Sequence, residues 1–300
     1  MDVEMKIKEP INRVTRKQKL KNYSKHPGSL LLALLTKLAI LLTVLALGFI
    51  LIYILVKGIP NLSTDLFALK YTTENVSMLP AIINTLIITL LSLCIAGPIG
   101  IFSAIYLVEY AKKGNKLVGV VRVTAETLTG IPSIVYGLFG MLFFVTTLKC
   151  GYSLLAGALT LSIMVLPVIM RTTEEALLAV PNSFREGSFG LGAGKLRTIF
   201  KIVLPSAVPG ILAGVILAIG RMVGETAALI YTAGTMEVLP KNIFSSTITL
   251  SVHMYNLSKE GLHTNEAYAT AVVLLVVVIG INLLSGFLAK AITKKGGKPQ

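Results

Sequence analysis

The chain has 300 residues, of which 54% are hydrophobic and 14% are charged. Soluble domains carry about 25% charged residues, so this composition, with a mean hydropathy of +0.79, excludes an ordinary water-soluble fold. Because a bilayer removes the need to bury apolar side chains away from water, we predict an integral membrane protein.

The formal net charge of +14 is compatible with nucleic-acid binding, but the distribution of the basic residues indicates another cause. The apolar segments would place the loops between them on alternate sides of a membrane, so that four stretches of the chain share one side. These stretches, which are 1–29, 109–122, 171–205 and 290–300, contain 21 of the 28 Lys and Arg residues. The loops of the opposite side carry five. This asymmetry follows the positive-inside rule, so we predict cytoplasmic termini, contact with membrane lipid and no nucleic-acid partner.

Apolar stretches of about 20 residues are needed to cross the hydrocarbon core, and we predict six of them. They are Leu38–Val56, Ile82–Val108, Val123–Leu148, Leu154–Met170, Val208–Tyr231 and Ala269–Ala289. We therefore predict an all-α, polytopic helical bundle, because backbone exposed to lipid must be hydrogen-bonded within its own segment. The first span belongs to an apolar segment, 30–57, that lacks the cleavage site of a signal peptide. Basic tails, 1–29 and 292–300, begin and close the chain.

Residues that carry chemistry are sparse. Cys94 and Cys150 lack the spacing of a metal site or a disulfide framework. The three histidines lie in the N-terminal tail and one loop without an HExxH motif, which argues against an intramembrane enzyme. We therefore predict no catalytic residue, no bound metal and no cofactor in this chain.

Glycine and proline predict where the spans are interrupted. Gly130 and Pro132 should break the third span, because proline cannot donate the helical hydrogen bond. The freed carbonyls would need partners, and Ser133 and Tyr136 are available donors. The break would serve as a gate or would only assist packing. Close helix contacts are predicted at two pairs of glycines, Gly210/Gly214 and Gly220/Gly224.

The segment between the fourth and fifth spans, Pro181–Pro205, is expected to form an elbow outside the bilayer. Ser183 and Glu186 make a capping-box pattern, which predicts a helix start near Ser183, and three glycines then interrupt the helix. A second short helix should run from residue 195 to about 203 and end at Leu204-Pro205. Such an elbow would dock into a groove of a partner or lie on lipid.

The elbow resembles the EAA loop of ABC importer permeases. Their pattern, E-A-A-x3-G-x9-I-x-L-P, is matched at every spacing by Glu186, Gly187, Ser188, Gly192, Ile202, Leu204 and Pro205. The departure is Gly187-Ser188 in place of two alanines, and Gly187 weakens the helix locally. The resemblance implies type I ABC permease topology over 79–291. It also implies a coupling loop, 172–205, in which Glu186 and Gly192 shape the contact with a cytoplasmic ATPase.

ATP is not expected to bind to this chain. Gly194-Lys195 resembles the end of a P-loop, but Phe189 stands where the leading glycine is required, and Leu196 follows the lysine. The resemblance therefore implies that ATP-Mg is used by a partner ATPase.

Two membrane segments are similar to stretches of the phosphate-importer permeases, and more to the PstA-type subunit than to its PstC-type partner. They are TGIPSIVYG, residues 129–137, and GRMVGETAALIYTA, residues 220–233. The resemblance implies pairing with a PstC-type permease, a dimer of PstB-type ATPases and an extracytoplasmic phosphate-binding protein, in the cytoplasmic membrane of a prokaryote. The alternatives are a permease for sulfate, molybdate or tungstate and, more distantly, a secondary transporter, against which the elbow argues.

Charged side chains inside a membrane helix cost roughly 3 kcal/mol each on insertion scales, so those in the spans need a reason. Arg221 and Glu225 are four residues apart and would share a helical face. They would form a structural ion pair, or Arg221 would offer its planar fork to a passing oxyanion. Glu126 would pair with Arg221 or Arg171. We place along a translocation path or gate Arg221, Glu225, Thr226, Glu126, Pro132, Ser133 and Tyr136.

Overall fold

The computed structural model describes residues 27–112 and 114–296, so residues 1–26 of the first predicted basic tail and 297–300 of the second lie outside the described residues. By its internal contacts the chain divides into two units, residues 1–54 and 55–300. The described residues form helices joined by turns and loops, with no strand among them. The predicted all-α class is confirmed.

Eleven α-helices occur in the described residues. In chain order they are α1 (Pro27–Gly58), α2 (Leu79–Ile105), α3 (Lys116–Thr129), α4 (Ser133–Gly140), α5 (Leu154–Leu178), α6 (Asn182–Gly190), α7 (Lys195–Thr198), α8 (Leu204–Val223), α9 (Ala227–Ile230), α10 (Leu250–Glu260) and α11 (Thr264–Gly296). Wider π-helical turns prolong α2 (Tyr106–Tyr110) and α4 (Met141–Thr147), and a third (Ile199–Val203) joins α7 to α8. Two short 3₁₀ turns follow α1, at Ile59–Asn61 and Thr64–Phe67.

Five or six spans are found where six were predicted. Five helical segments are long and apolar enough to cross a membrane: those that contain α1, α2, α5, α8 and α11. Helices α3 and α4 make a sixth if the pair, which is bent by 103°, is counted as one broken span. The bend lies at the predicted break, and a loop from Leu148 to Ser153 then leads into α5.

The fifth span differs from its prediction at both ends. It ends at Val223 instead of Tyr231, because the backbone leaves the helix at Gly224. Its other end is continuous with the second arm of the elbow from Lys195, so the expected helix end at Leu204-Pro205 is wrong. The π-helical turn that ends at Val203, two residues before Pro205, changes the hydrogen-bond register, which accommodates a residue that cannot donate.

Two hydrophobic cores lie around opposite ends of α2. The larger surrounds the beginning of α2 and includes Met78, Ile88, Leu161, Met164 and Leu229; we call it the loop-side core. The smaller surrounds the last turns of α2 and includes Ile105, Leu107, Leu177, Ile199 and Val203; we call it the elbow-side core. Both cores belong to the second unit, one at the beginning of α2 and the other at its end.

One of the two predicted glycine contacts forms. A Cβ atom on Gly214 would meet Thr172 Oγ1 at 1.9 Å, and one on Gly210 would meet Ala176 Cβ at 2.6 Å, so α8 lies tightly against α5. At Gly220 the nearest such atom would be 3.7 Å away, and Gly224 lies beyond the helix end. The second pair therefore makes no comparable contact.

A helix that is not among the predicted elements, α10, is buried at the loop side. Its residues Leu250 and Val252 are fully buried, and the Leu250 N–H donates to Thr85 Oγ1 on α2 at 2.8 Å. The segment between the fifth and sixth spans is thus part of the packed bundle. Alternation of polar and apolar residues over so short a stretch gave no clear helical period.

Candidate functional site

The elbow has the predicted two arms. The first arm, α6, begins at Asn182, one residue from the predicted start, and no side-chain hydrogen bond caps it, so the capping box does not form. Gly192 turns the chain with a φ of +80°, a conformation that other residues adopt only with strain. The backbone therefore favours glycine at that position, whatever it contacts outside the chain.

The departure from the EAA pattern has a structural explanation at Ser188. This side chain is buried, and its hydroxyl lies 2.8 Å from that of Thr198, which also donates to the Gly194 carbonyl. The serine thus joins the first arm to the second by a contact that alanine could not make. Gly187 is exposed with open space around it, so no neighbour requires a glycine there.

The elbow leaves an apolar face uncovered. Leu191, at the turn, is 91% exposed. The face also includes Phe184, Phe189, Leu196 and Phe200, all exposed, and the carboxylate residue Glu186 is exposed on the same arm. By contrast Ile202 and Leu204 are half-buried, Leu204 packs against the elbow-side core, and Pro205 is exposed at the start of α8. Of the residues that match the pattern, Glu186 is therefore exposed to a partner or to solvent, whereas Ile202 and Leu204 are partly buried within this chain.

At the break in the third span, one of the two predicted donors, Tyr136, forms a hydrogen bond to the freed backbone carbonyl. Pro132 cannot donate to the carbonyl four residues before it, which is that of Leu128. The Tyr136 hydroxyl, buried in the bundle, donates to the Leu128 carbonyl at 2.8 Å, and the Ile131 N–H donates to it as well. Ser133 begins α4 and is half-buried. The freed backbone group is thus satisfied inside the protein.

The two segments that carry the phosphate-permease resemblance pack directly on each other. A Cβ atom on Gly137 would lie 2.8 Å from Ala228 Cα and 3.1 Å from the Ala227 carbonyl oxygen. One on Gly140 would lie 2.3 Å from Thr160 Oγ1. Only glycines allow α4 to approach α9 and α5 this closely. The two interrupted spans therefore pack against each other next to their breaks, where α4 contacts α9.

Arg221 and Glu225 do not share a helical face, because α8 ends at Val223 between them. Glu225 is buried beyond the helix end, where its Oε1 accepts the Ala228 N–H at 3.1 Å and its carbonyl accepts the Ser251 hydroxyl at 2.6 Å. Half-buried Thr226 lies in the same break. Within the described part of the chain, Arg221 forms no ion pair.

Glu126 pairs with Arg171, which settles the alternative left open by the sequence. Arg171 lies 3.5 Å from Glu126 Oε1 and 3.2 Å from Glu175 Oε1, while Arg122 pairs with Glu174 at 2.5 Å. These groups line a cavity of about 290 Å³ between α3 and α5. Arg171 also lines a second cavity.

That second cavity, of about 380 Å³, brings two arginines together. It lies between α3, α5 and α8, and it is lined by Thr129, Val168, Arg171, Thr172, Glu175, Leu217 and Arg221. The threonine hydroxyls already donate to backbone carbonyls, that of Thr129 to Ala125 and that of Thr172 to Val168, so the two guanidinium groups are the donors that remain for an anion. Arg171 and Thr172 were missed as cavity residues, because the chain position of α5 does not tell which face turns to α8.

A buried polar network connects the loops at the loop side, and the sequence did not indicate it. His253 is fully buried, with Nε2 3.3 Å from the Val76 carbonyl oxygen. Its Nδ1 lies 3.3 Å from Glu237 Oε1, in a direction that makes no hydrogen bond. Burial, and then the hydrogen bond and charge of Glu237, raise the pKa of the Tyr71 hydroxyl. In the described residues no group of three or more His, Cys, Asp or Glu is arranged to hold a metal ion.

Comparisons with known proteins identify the family. The family model described as "Binding-protein-dependent transport system inner membrane component" matches residues 96–296. The probable ABC transporter permease protein YqgI of Bacillus subtilis (strain 168) is 35% identical over 261 residues, which are 81% of this chain and 88% of that protein. The phosphate transport system permease protein PstA of Pasteurella multocida (strain Pm70) is 36% identical over 259 residues, 85% and 92% of the two chains.

Solved structures agree on the fold. A bacterial alginate ABC transporter, solved in complex with an alginate pentasaccharide-bound periplasmic protein, matches with a TM-score of 0.66 at 17% identity, over 91% of this chain and 98% of that one. A chain of the MetNI methionine ABC transporter in an inward-facing conformation matches with a TM-score of 0.56 at 20% identity, covering 81% and 97%. With the helical bundle, the elbow and these relatives together, the chain belongs to the binding-protein-dependent transport system inner membrane components, as a PstA-type permease subunit of an ABC importer.

Proposed function

We propose that this subunit translocates inorganic phosphate across the cytoplasmic membrane, driven by ATP hydrolysis in a separate ATPase. The observation that carries the proposal is the cavity that Arg171 and Arg221 line together, in a chain whose relatives include phosphate transport permeases. A path for a multiply charged anion needs positive potential without a site that holds the anion tightly.

The charges around this cavity favour an anion. Arg171 is compensated by Glu126 and Glu175, whereas no described carboxylate pairs with Arg221. The guanidinium of Arg221 is therefore the group whose charge is available to a solute. Its planar fork donates two parallel hydrogen bonds to an oxyanion, which suits phosphate. Glu225 serves the backbone of α9, so its role in the path is to fix the break beyond Arg221.

The remaining parts follow the family assignment. The exposed elbow face, with Glu186, would seat in a cleft of a PstB-type ATPase that uses ATP-Mg, two copies of which would serve this chain and a PstC-type permease. An extracytoplasmic phosphate-binding protein would deliver the anion at the loop side, and both termini would face the cytoplasm. Closure of the ATPases would move the elbow and switch the opening of the bundle between its two sides.

The experiment is uptake by the complete complex in proteoliposomes. We expect ATP-dependent accumulation of radiolabelled phosphate that an excess of sulfate, molybdate or tungstate does not suppress. Suppression by one of these oxyanions, with weak competition by unlabelled phosphate, would assign the other substrate. In cells starved of phosphate, uptake that is unchanged after deletion of this gene would contradict the proposal.

A further inference from the structure

Arg185, which precedes Glu186 in the elbow, makes an ion pair with a residue 76 positions earlier. Its Nη2 and Nε both donate to Glu109 Oε1, at 2.7 Å and 3.1 Å. The two side chains are 14% and 9% exposed, so the pair is largely shielded from water. Glu109 lies in the π-helical turn that ends α2. The elbow is therefore attached to the end of a transmembrane helix by a buried charge pair.

The same guanidinium also holds the end of α5. Its Nη1 donates to the Val180 carbonyl at 2.8 Å, and its Nη2 donates to the Leu177 carbonyl at 2.9 Å. The last carbonyls of a helix have no donor within the helix and need one from elsewhere. One side chain of α6 thus satisfies the end of α5 and the acid at the end of α2 at once.

Without this side chain, the connection between α5 and the elbow would be a short hinge. Ala179 to Pro181 join α5 to α6, and the backbone leaves the helical conformation at Pro181. A second contact supports the same attachment, since Lys195 Nζ lies 4.8 Å from the ring centre of Tyr110, also at the end of α2. Both arms of the elbow therefore reach the same helix end.

We propose that Arg185 is a positioning residue for transport, through which the elbow moves as one body with the ends of α2 and α5. A displacement that the ATPase imposes on α6 then reaches two transmembrane helices instead of being lost in bending at residues 179–181. This inference rests on the proposed function, because it requires an ATPase docked on the elbow. Removing either partner leaves a buried charge without its counter-ion and separates the elbow from α2.

The first test measures coupling in the complete complex. Phosphate uptake and ATP hydrolysis are followed in the same proteoliposomes for Arg185→Gln, Glu109→Gln and the double variant. We expect each single change to keep hydrolysis within about twofold and to lower the phosphate moved per ATP by about tenfold or more. The double variant should be no worse than either single variant, because both remove one link. Lys201→Gln, which removes an exposed cation from the same elbow, is the matched control and should couple normally.

A second measurement does not depend on the anion. Spin labels at Ser183→Cys in α6 and Phe102→Cys in α2, with Cys94 and Cys150 replaced by alanine, report the distance between the two helices. All four positions lie among the described residues, and both label sites are exposed. We expect one narrow distance distribution in the parent complex and a broad one in Arg185→Gln and in Glu109→Gln.

The outcomes separate this inference from the choice of substrate. Normal phosphate per ATP in Glu109→Gln, or an unchanged distance distribution, would overturn it. Loss of the ATPase from Arg185→Gln with normal coupling in Glu109→Gln would also overturn it, since Arg185 would then serve docking. A parent complex that hydrolyses ATP and moves another anion would refute phosphate as the substrate, while the distance measurement would still decide the role of Arg185.

Discussion

The elbow and the interrupted spans solve the same problem in opposite ways. Both contain backbone that cannot continue as a helix. At the elbow, Gly192 turns the chain and the apolar side chains around it are left exposed. In the interrupted spans, Tyr136 and Glu225 return hydrogen bonds to the broken backbone, and Gly137 seats one broken span on the other. The polar backbone of the interrupted spans is therefore satisfied within this chain, whereas the elbow keeps an apolar surface that no described residue covers.

The largest effect is expected where the two interrupted spans touch. In Gly137→Val a Cβ atom would lie 2.8 Å from Ala228 Cα, a backbone atom that cannot move alone. We expect a destabilisation of about 1–3 kcal/mol or more from overpacking, and loss of transport. Thermal unfolding of the detergent-solubilised protein measures the first effect. Gly119→Val, which meets open space on α3, is the control, and equal melting temperatures of the two variants would contradict the described packing.

A smaller but selective effect is expected at the elbow turn. In Gly192→Trp the φ of +80° is unfavourable by about 1–2 kcal/mol, and a large ring projects from the docking face. We predict that the protein inserts normally but no longer co-purifies with the ATPase. Gly192→Asn should retain much of the association, because asparagine tolerates this conformation. If the tryptophan variant co-purified with the ATPase normally, the turn would not be part of the docking surface.

Arg221→Gln should act on transport alone. We expect an intact complex and a transport rate lower by about tenfold, which corresponds to roughly 1.4 kcal/mol of lost interaction with the anion. Arg221→Lys should retain part of the rate, since it keeps the charge and loses the fork. Uptake at the parental rate in the glutamine variant would leave Arg221 outside the path.

The smallest effect is expected at Tyr136. Tyr136→Phe removes one of two donors to the Leu128 carbonyl, so we expect a loss of about 1 kcal/mol in unfolding free energy. The change in melting temperature would be about 2–4 °C. Tyr106→Phe, at an exposed tyrosine, is the control. A change in transport without a change in stability would give the hydroxyl a role in the path instead.

The parts of the fold that follow from local chain chemistry could be predicted from the sequence. Apolar length places the spans, Pro132 marks the break, and the glycine at 192 marks the turn of the elbow. Each depends on residues within a few positions of one another. Even the donor that closes the break could be named, because Tyr136 lies one helical turn beyond the proline.

What the sequence could not supply depends on where helices end and on which faces meet. Arg221 and Glu225 have the spacing of a helical pair, but the helix stops at Val223, so the expected pair does not form. The link from Arg185 to Glu109 spans 76 positions and has no local pattern. The second arm of the elbow continues into the fifth span because a π-helical turn precedes Pro205, and a sequence with proline at that point predicts a stop.

The exposure of Leu191 has a consequence for how much of this subunit a cell can keep. If an ATPase docks on the elbow as proposed, a chain synthesised in excess of that ATPase would leave this side chain, and the aromatic rings of the elbow, uncovered. Such patches are recognised as sites of aggregation and removal. The abundance of the subunit in the cell should then follow the supply of that partner.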